Sequence, residues 1–343
     1  MRHLLNTLYV TTQGSYLSRD GEAVAIKCDG ELRLRVPVHT LGGIVCFGQV
    51  SCSPPLLGLC AEREVAVSFL TEHGKFLARV QGPVQGNVLL RRTQFRIADA
   101  EEPRAAIARA MVMAKLSNCR TVLLRAAREC GEGNRAAALE QACRRLANIL
   151  ARLETPHLLD VLRGIEGEAG ATYFSVFDHL FTTNKDDFLF QGRSRRPPLD
   201  NINALLSFLY TLLVHDCVSA LETVGLDPAV GFLHADRPGR PGLALDLMEE
   251  FRPFLADRLA ASLINRRQVN GSGFAKTESG GVLMNDATRK EVLVAWQKRK
   301  QEEIRHPFLG ERVPLGLLPY VQALLLARHL RGDLDGYAAF FWR

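Results

Sequence analysis

The stretch PRAAIARAMVMAKLSNCRTVLLRAARE, residues 103–129, repeats apolar side chains every three to four positions with arginines between them. That is the period of a helix with one face against a core. NRAAALEQACRRLANILARLE (134–154) continues the texture, and further helices are expected over roughly 158–181, 199–224, 243–265, 287–304 and 315–330. Polar connections fall at 182–198 and 266–286. Upstream the period is two. SRDGEAVAI (18–26), KCDGELRLRVPV (27–38) and SFLTEHGKFLARVQG (68–82) place Asp-Gly or His-Gly between β-prone runs and predict hairpins. PPLLGLCAERE (54–64) predicts a short helix after its two prolines. The chain therefore reads as an α+β multidomain protein. A small N-terminal β-rich domain, residues 1–95, precedes a larger all-α helical domain, residues 96–343.

The bulk composition narrows the function classes. Hydrophobic residues make up 47% of the 343 and charged residues 23%, ordinary for a globular chain and wrong for a disordered one. No run of about 18 uncharged apolar residues marks a membrane span. MRHLLNTLYVTTQGSY (1–16) has no signal-peptide core, so a cytoplasmic location is expected. The 8 cysteines form no C-x-x-C pair, which argues for reduced thiols over a zinc ribbon or redox motif. A net charge of +6 suits a polyanionic partner.

Three constellations carry potential chemistry. In GFLHADRPGRPGLALDLMEEFRP (231–253), His234 lies in a Gly/Pro/Arg-rich turn, and Asp246, Glu249 and Glu250 share one face of the following helix. Like charges at that spacing repel. Acids near a helix N-terminus are one explanation, and a divalent cation with His234 as a nitrogen ligand is another. Pro253 is expected to bend or end this helix. In LLDVLRGIEGEAGATYFSVF (158–177), Glu166 sits beside an apolar face between Gly164 and Gly167, which suggests close approach of a backbone or ligand; the alternative is a boundary glutamate paired with an arginine. Basic clusters at Arg193, Arg195 and Arg196, at Arg266 and Arg267, and at Lys298 and Arg299 are either solvated charge or contacts to a phosphate backbone.

GIEG (164–167), PPLDNINALLSFLYTLL (197–213), GLDPAVGFLHADRPGRPGLALDLMEEFRP (225–253) and the closing GYAAFFWR (336–343) together resemble the CRISPR-associated spacer-acquisition integrase ("Cas one") family, most closely its type I-C branch. The resemblance spans essentially the whole chain. It implies an N-terminal β domain used for dimerisation and a helical catalytic domain. The implied activity is that of a metal-dependent endonuclease and integrase inserting short DNA fragments into a CRISPR array. Carried over, the metal ligands are Glu166, His234 and Glu249, with Asp246 as a supporting catalytic acid and Mg²⁺ or Mn²⁺ as the cofactor. Many members have Asp at the position of Glu249, which leaves open whether Glu249 or Asp246 is the tighter ligand. The implied partners are double-stranded DNA (prespacer and CRISPR repeat), a second copy in a homodimer, and a small "Cas two" protein, with no membrane. A non-catalytic DNA-binding scaffold and a small-molecule metallohydrolase are the competing readings.

Overall fold

The computed structural model describes residues 5–80, 82 and 87–342. Residues 1–4, 81, 83–86 and 343, the last being the terminal arginine of GYAAFFWR, lie outside the described residues.

The N-terminal third forms two sheets. Strands β1 (Asn6–Val10), β5 (Leu41–Phe47), β7 (Ala66–Leu70) and β8 (Phe76–Val80) make one; β4 (Glu31–Pro37), β3 (Ala23–Cys28), β2 (Tyr16–Asp20) and β6 (Ser51–Cys52) make the other. All three predicted hairpins are present. At the β3–β4 turn Asp29 and Gly30 have φ of 53° and 82°, the left-handed pair that a two-residue turn demands and that Asp-Gly supplies. Helix α1 (Pro54–Glu62) starts where expected, with the Ser53 side chain accepting from the Leu56 N–H.

β5 explains why the two halves of the chain are one packed body. It is buried on both faces, and its side chains alternate. Ile44 and Cys46 join the core between the sheets, while Val45 and Phe47 join the helical core. The Phe47 ring lies 6.0 Å from Phe208. Gly74, at the tip of the β7–β8 hairpin, would bring a Cβ to 2.7 Å from the Phe208 ring, so glycine lets the hairpin seat there.

Helices α2 (Val88–Asp99) and α3 (Glu101–Cys130) begin the helical part, and residue 95 falls inside α2. They are followed by α4 (Asn134–Arg152), α5 (Leu159–Ser175), α6 (Asn201–Val224), α7 (Gly242–Glu249), α8 (Arg258–Asn265), α9 (Asp286–Gln301) and α10 (Leu318–Leu330). Asp200 caps α6 through the Asn203 N–H. By length and composition α6 is apolar enough to cross a membrane, with a window of mean hydropathy 1.7, unlike the sequence expectation. In the fold 67% of that window is buried, and the helix is the central strut against α7 and α10.

Two departures from an all-helical second domain appear. β9 (Phe274–Lys276) pairs with β10 (Val282–Met284) inside the expected connection, and β11 (Glu303–Arg305) pairs with β12 (Arg312–Pro314) where a helix was expected to run on. Strands of three residues are too short to show a period of two. Between α7 and α8 the segment Arg252–Asp257 is a π-helical turn carrying Pro253, which supplies the expected interruption.

Candidate active site

Four elements meet around a cavity of about 230 Å³. α3 contributes Lys115, α5 contributes Glu166, Gly167, Gly170 and Tyr173, α6 contributes Tyr210, and the α7–π-turn segment contributes Glu249, Arg252 and Asp257; Arg193 and Arg195 close one side. The three acids of the 246–250 run have the spacing of one face yet reach three different sets of partners, which removes their mutual repulsion.

Asp246 is fully buried. Its Oδ2 accepts from the Phe232 N–H at 2.6 Å and the Leu233 N–H at 2.9 Å, and its Oδ1 accepts from the His234 N–H at 2.9 Å. The His234 ring also lies with Nδ1 2.6 Å from Oδ1; against a carboxylate oxygen Nδ1 is the donor, and Nε2 is the ring nitrogen that Asp246 does not engage. This clasp explains why residue 231 is glycine. A Cβ on Gly231 would come within 2.7 Å of the Gly242 carbonyl carbon and 2.8 Å of Asp246 Oδ2. A helix-dipole role for the acids is not what the fold shows, because none lies in the first turn of α7.

Glu249 is 5% exposed and held between two cations. Arg252 Nη1 lies 2.5 Å from its Oε1, and Lys115 Nζ lies 2.7 Å from its Oε2. The Oε2 contact is an ion pair outside hydrogen-bond geometry, so this buried oxygen has no directed donor. Burial opposes the charge, but Arg252 and then Lys115 outweigh it and hold the carboxyl at about 2. Glu166, more open at 30%, pairs with the same Lys115 ammonium. Burial works against the Lys115 charge too, and the Glu249 and Glu166 carboxylates raise its pKa nonetheless. His234 is near enough to act electrostatically on Glu249.

Glu250 turns away from the cavity. It accepts from Tyr337 Oη at 2.5 Å, the Phe340 N–H at 2.6 Å and Gln322 Nε2 at 3.1 Å, tying the C-terminal segment under α7.

The structure thus gathers Glu166 and Glu249 on one ammonium, holds His234 on Asp246, and forms no ready cluster of three or more His, Cys, Asp or Glu side chains for a metal among the described residues. Gly164 and Gly167 were expected to admit a close neighbour. No atom lies within 4 Å of a Cβ placed on either, and Gly167 borders the cavity instead. Of the basic residues, Arg193 is tied inward. It donates to the Ser194 carbonyl at 2.6 Å and to Asn203 Oδ1, and its guanidinium lies over Tyr210 at 5.2 Å. Burial lowers its pKa. Arg299 pairs with Glu302 and is mostly covered. Arg195, Arg196, Arg266, Arg267 and Lys298 are exposed.

Sequence reasoning missed Lys115, Arg252, Tyr173, Tyr210 and Asp257. One signal was available: Lys115 is the single charge between Arg109 and Arg120, in a mostly apolar stretch of the helix. Asp257 accepts from Tyr210 Oη at 2.5 Å and Tyr173 Oη at 3.0 Å, contacts no local pattern encodes.

The family model described as "CRISPR associated protein Cas1" matches residues 8–298. A relative from Chlorobaculum tepidum, "CRISPR-associated endonuclease Cas1 1", is 56% identical over 343 residues, covering 100% of both chains. Among solved structures, "Casposase bound to integration product" superposes with a TM-score of 0.82 at 22% identity, covering 96% of this chain and 92% of that one. "Cas6-RT-Cas1--Cas2 complex" does so with a TM-score of 0.80 at 22% identity, over 98% of this chain and 36% of that one. At that identity the superpositions speak for the fold.

Proposed function

The chain belongs to the Cas1 family of CRISPR-associated proteins, and from that premise we propose that it is a metal-dependent DNA endonuclease and integrase of CRISPR adaptation. Its reaction is a transesterification. The 3′-hydroxyl of a short DNA fragment attacks a phosphorus in the CRISPR repeat, one phosphodiester forms as another breaks, and the displaced 3′-oxygen takes up a proton. Phosphodiesters are conserved, so neither a high-energy cofactor nor a covalent protein nucleophile is required.

The observation that carries this reading is the pair of carboxylates, Glu166 and Glu249, already converging on one positive charge inside a cavity. A hard divalent cation fits that donor set. Both groups offer anionic oxygens, Glu249 stays ionised, and its buried Oε2 faces the Lys115 ammonium rather than a neutral donor. Glu166, Glu249 and Nε2 of His234 would hold Mg²⁺ or Mn²⁺, and the histidine extends the tolerance toward Mn²⁺. When bound, the ion supplies charge stabilisation at the phosphoryl oxygens and at the attacking and leaving oxygens. Asp246 is a positioning residue, since all four of its contacts fix the 232–234 turn and the His234 ring. Arg252 keeps Glu249 charged, and the exposed Arg195, Arg196, Arg266, Arg267 and Lys298 contact the DNA backbone.

The resemblance to the type I-C branch supports that assignment, and with it a homodimer acting in the cytoplasm with the small Cas2 partner. The named Cas1–Cas2 assembly among the structural neighbours is in keeping with such a partner. The test is joining of short duplexes to a repeat-containing plasmid with the Cas2 partner, at fixed salt, with Mg²⁺, Mn²⁺ or chelator. Metal-dependent joining that disappears in His234→Ala is expected. Salt-dependent DNA binding with no joining under any metal would make the chain a scaffold.

A further inference from the structure

Lys115 is buried in an apolar stretch of α3, with a side chain only 11% exposed, and its ammonium sits between Glu166 and Glu249. The second oxygen of Glu249 is taken by Arg252. Two carboxylates and two side-chain cations therefore cancel, which is how this much charge is tolerated in a partly closed cavity. A divalent cation between the same carboxylates would raise the sum to two positive charges and set the ion against the ammonium for the same oxygens.

We propose that Lys115 is the resident occupant of the metal position. Its ammonium neutralises Glu166 and Glu249 in the metal-free protein and leaves them when a divalent cation enters, so metal loading is an exchange of ammonium for ion. The inference rests on the metal reading given under the proposed function. The surroundings permit the exchange. Lysine is a compact charge on a flexible four-carbon stem, and the cavity beside it runs along Gly167 and Gly170, where even a Cβ would meet nothing within 4 Å. Arg252 is the fixed one of the two cations, because it also lies 4.3 Å over the Tyr210 ring.

The exchange makes metal affinity weaker than the donor set alone would give, and it lets the metal-free protein stay folded without repulsion between Glu166 and Glu249. Mn²⁺ binding to the full chain, read by electron paramagnetic resonance together with thermal midpoints, tests it without reference to activity. Lys115→Met is expected to bind Mn²⁺ about tenfold more tightly than wild type, to melt lower without metal, and to gain more on adding Mn²⁺. Lys115→Arg keeps the charge and folds with it, and is expected to bind no more tightly than wild type. Equal or weaker binding by Lys115→Met, or tighter binding by Lys115→Arg, overturns the exchange while leaving the metal site standing. Absence of Mn²⁺ binding in wild type and Lys115→Met alike overturns the metal site and the exchange with it. Glu166→Gln locates the ion, since loss of binding in that variant places it at this carboxylate.

Discussion

Neighbouring carboxylates 249 and 250 show how far burial and partners separate like groups. Arg252 and Lys115 keep Glu249 at about 2 against the penalty of burial. Glu250 has only neutral donors, and burial pushes it up to about 7 from an ordinary 4.5 although Tyr337, Phe340 and Gln322 pull the other way. A raised carboxyl pKa means that the folded chain binds the proton more tightly than the unfolded one. Its contribution to stability is therefore full below about 4.5 and declines as pH rises toward 7. Glu250→Gln isolates this contribution, because other titrating groups cancel in the difference. Urea unfolding is expected to show the stability of wild type minus that of the variant falling as pH rises through this window. A difference that grows with pH would contradict the assignment. The variant itself should lose about 1–3 kcal/mol, as an amide nitrogen would then face the donors of Phe340 and Gln322.

At the scale of elements, the site depends on how tightly the 229–234 turn is pressed on the start of α7. Gly231→Ala would push the Gly242 carbonyl and Asp246 apart, and with them His234. A shift of about 1 Å at a reacting centre costs on the order of a hundredfold in rate, so joining should fall by about that factor while DNA binding holds. Unchanged joining would mean the clasp does not set the histidine. The same elements show what the sequence could reveal. The period change between SRDGEAVAI and PRAAIARAM announced the two textures, and Asp-Gly turns announced the hairpins, because both are local signals. Glu166, His234 and Glu249 stand out by residue type and spacing, but their roles as metal ligands come from resemblance to a family, since spacing alone leaves bland alternatives for each. Lys115 in α3, Asp257 after α7 and Glu250 against Tyr337 acquire their partners from segments 47 to 134 positions away, as the sequence numbering shows. No window of local pattern reaches that far. The two hairpins of three-residue strands are invisible for the opposite reason, being too short for a period of two to repeat.

Over the whole molecule, a net charge of +6 becomes a DNA surface only where the cations stay unclaimed. Arg193 and Arg299 are spent on internal partners, whereas Arg266 and Arg267 are exposed beyond α8. Replacing Arg266 and Arg267 together by Ala should lower the slope of log affinity against log salt by up to about two, roughly 0.9 for each duplex phosphate no longer neutralised. Arg193→Ala should instead depress the melting temperature. A slope unmoved by the double variant would put the DNA elsewhere. The central claim is that one metal position, shared by Glu166 and Glu249, performs the joining. Its most direct test is the initial rate of strand joining by Glu166→Gln beside Glu168→Gln, both at saturating DNA. Glu168 sits two positions along the same helix and pairs outward with Arg152. The account predicts a loss on the order of a thousandfold for Glu166→Gln and a wild-type rate for Glu168→Gln. Joining by Glu166→Gln at the wild-type rate would contradict it.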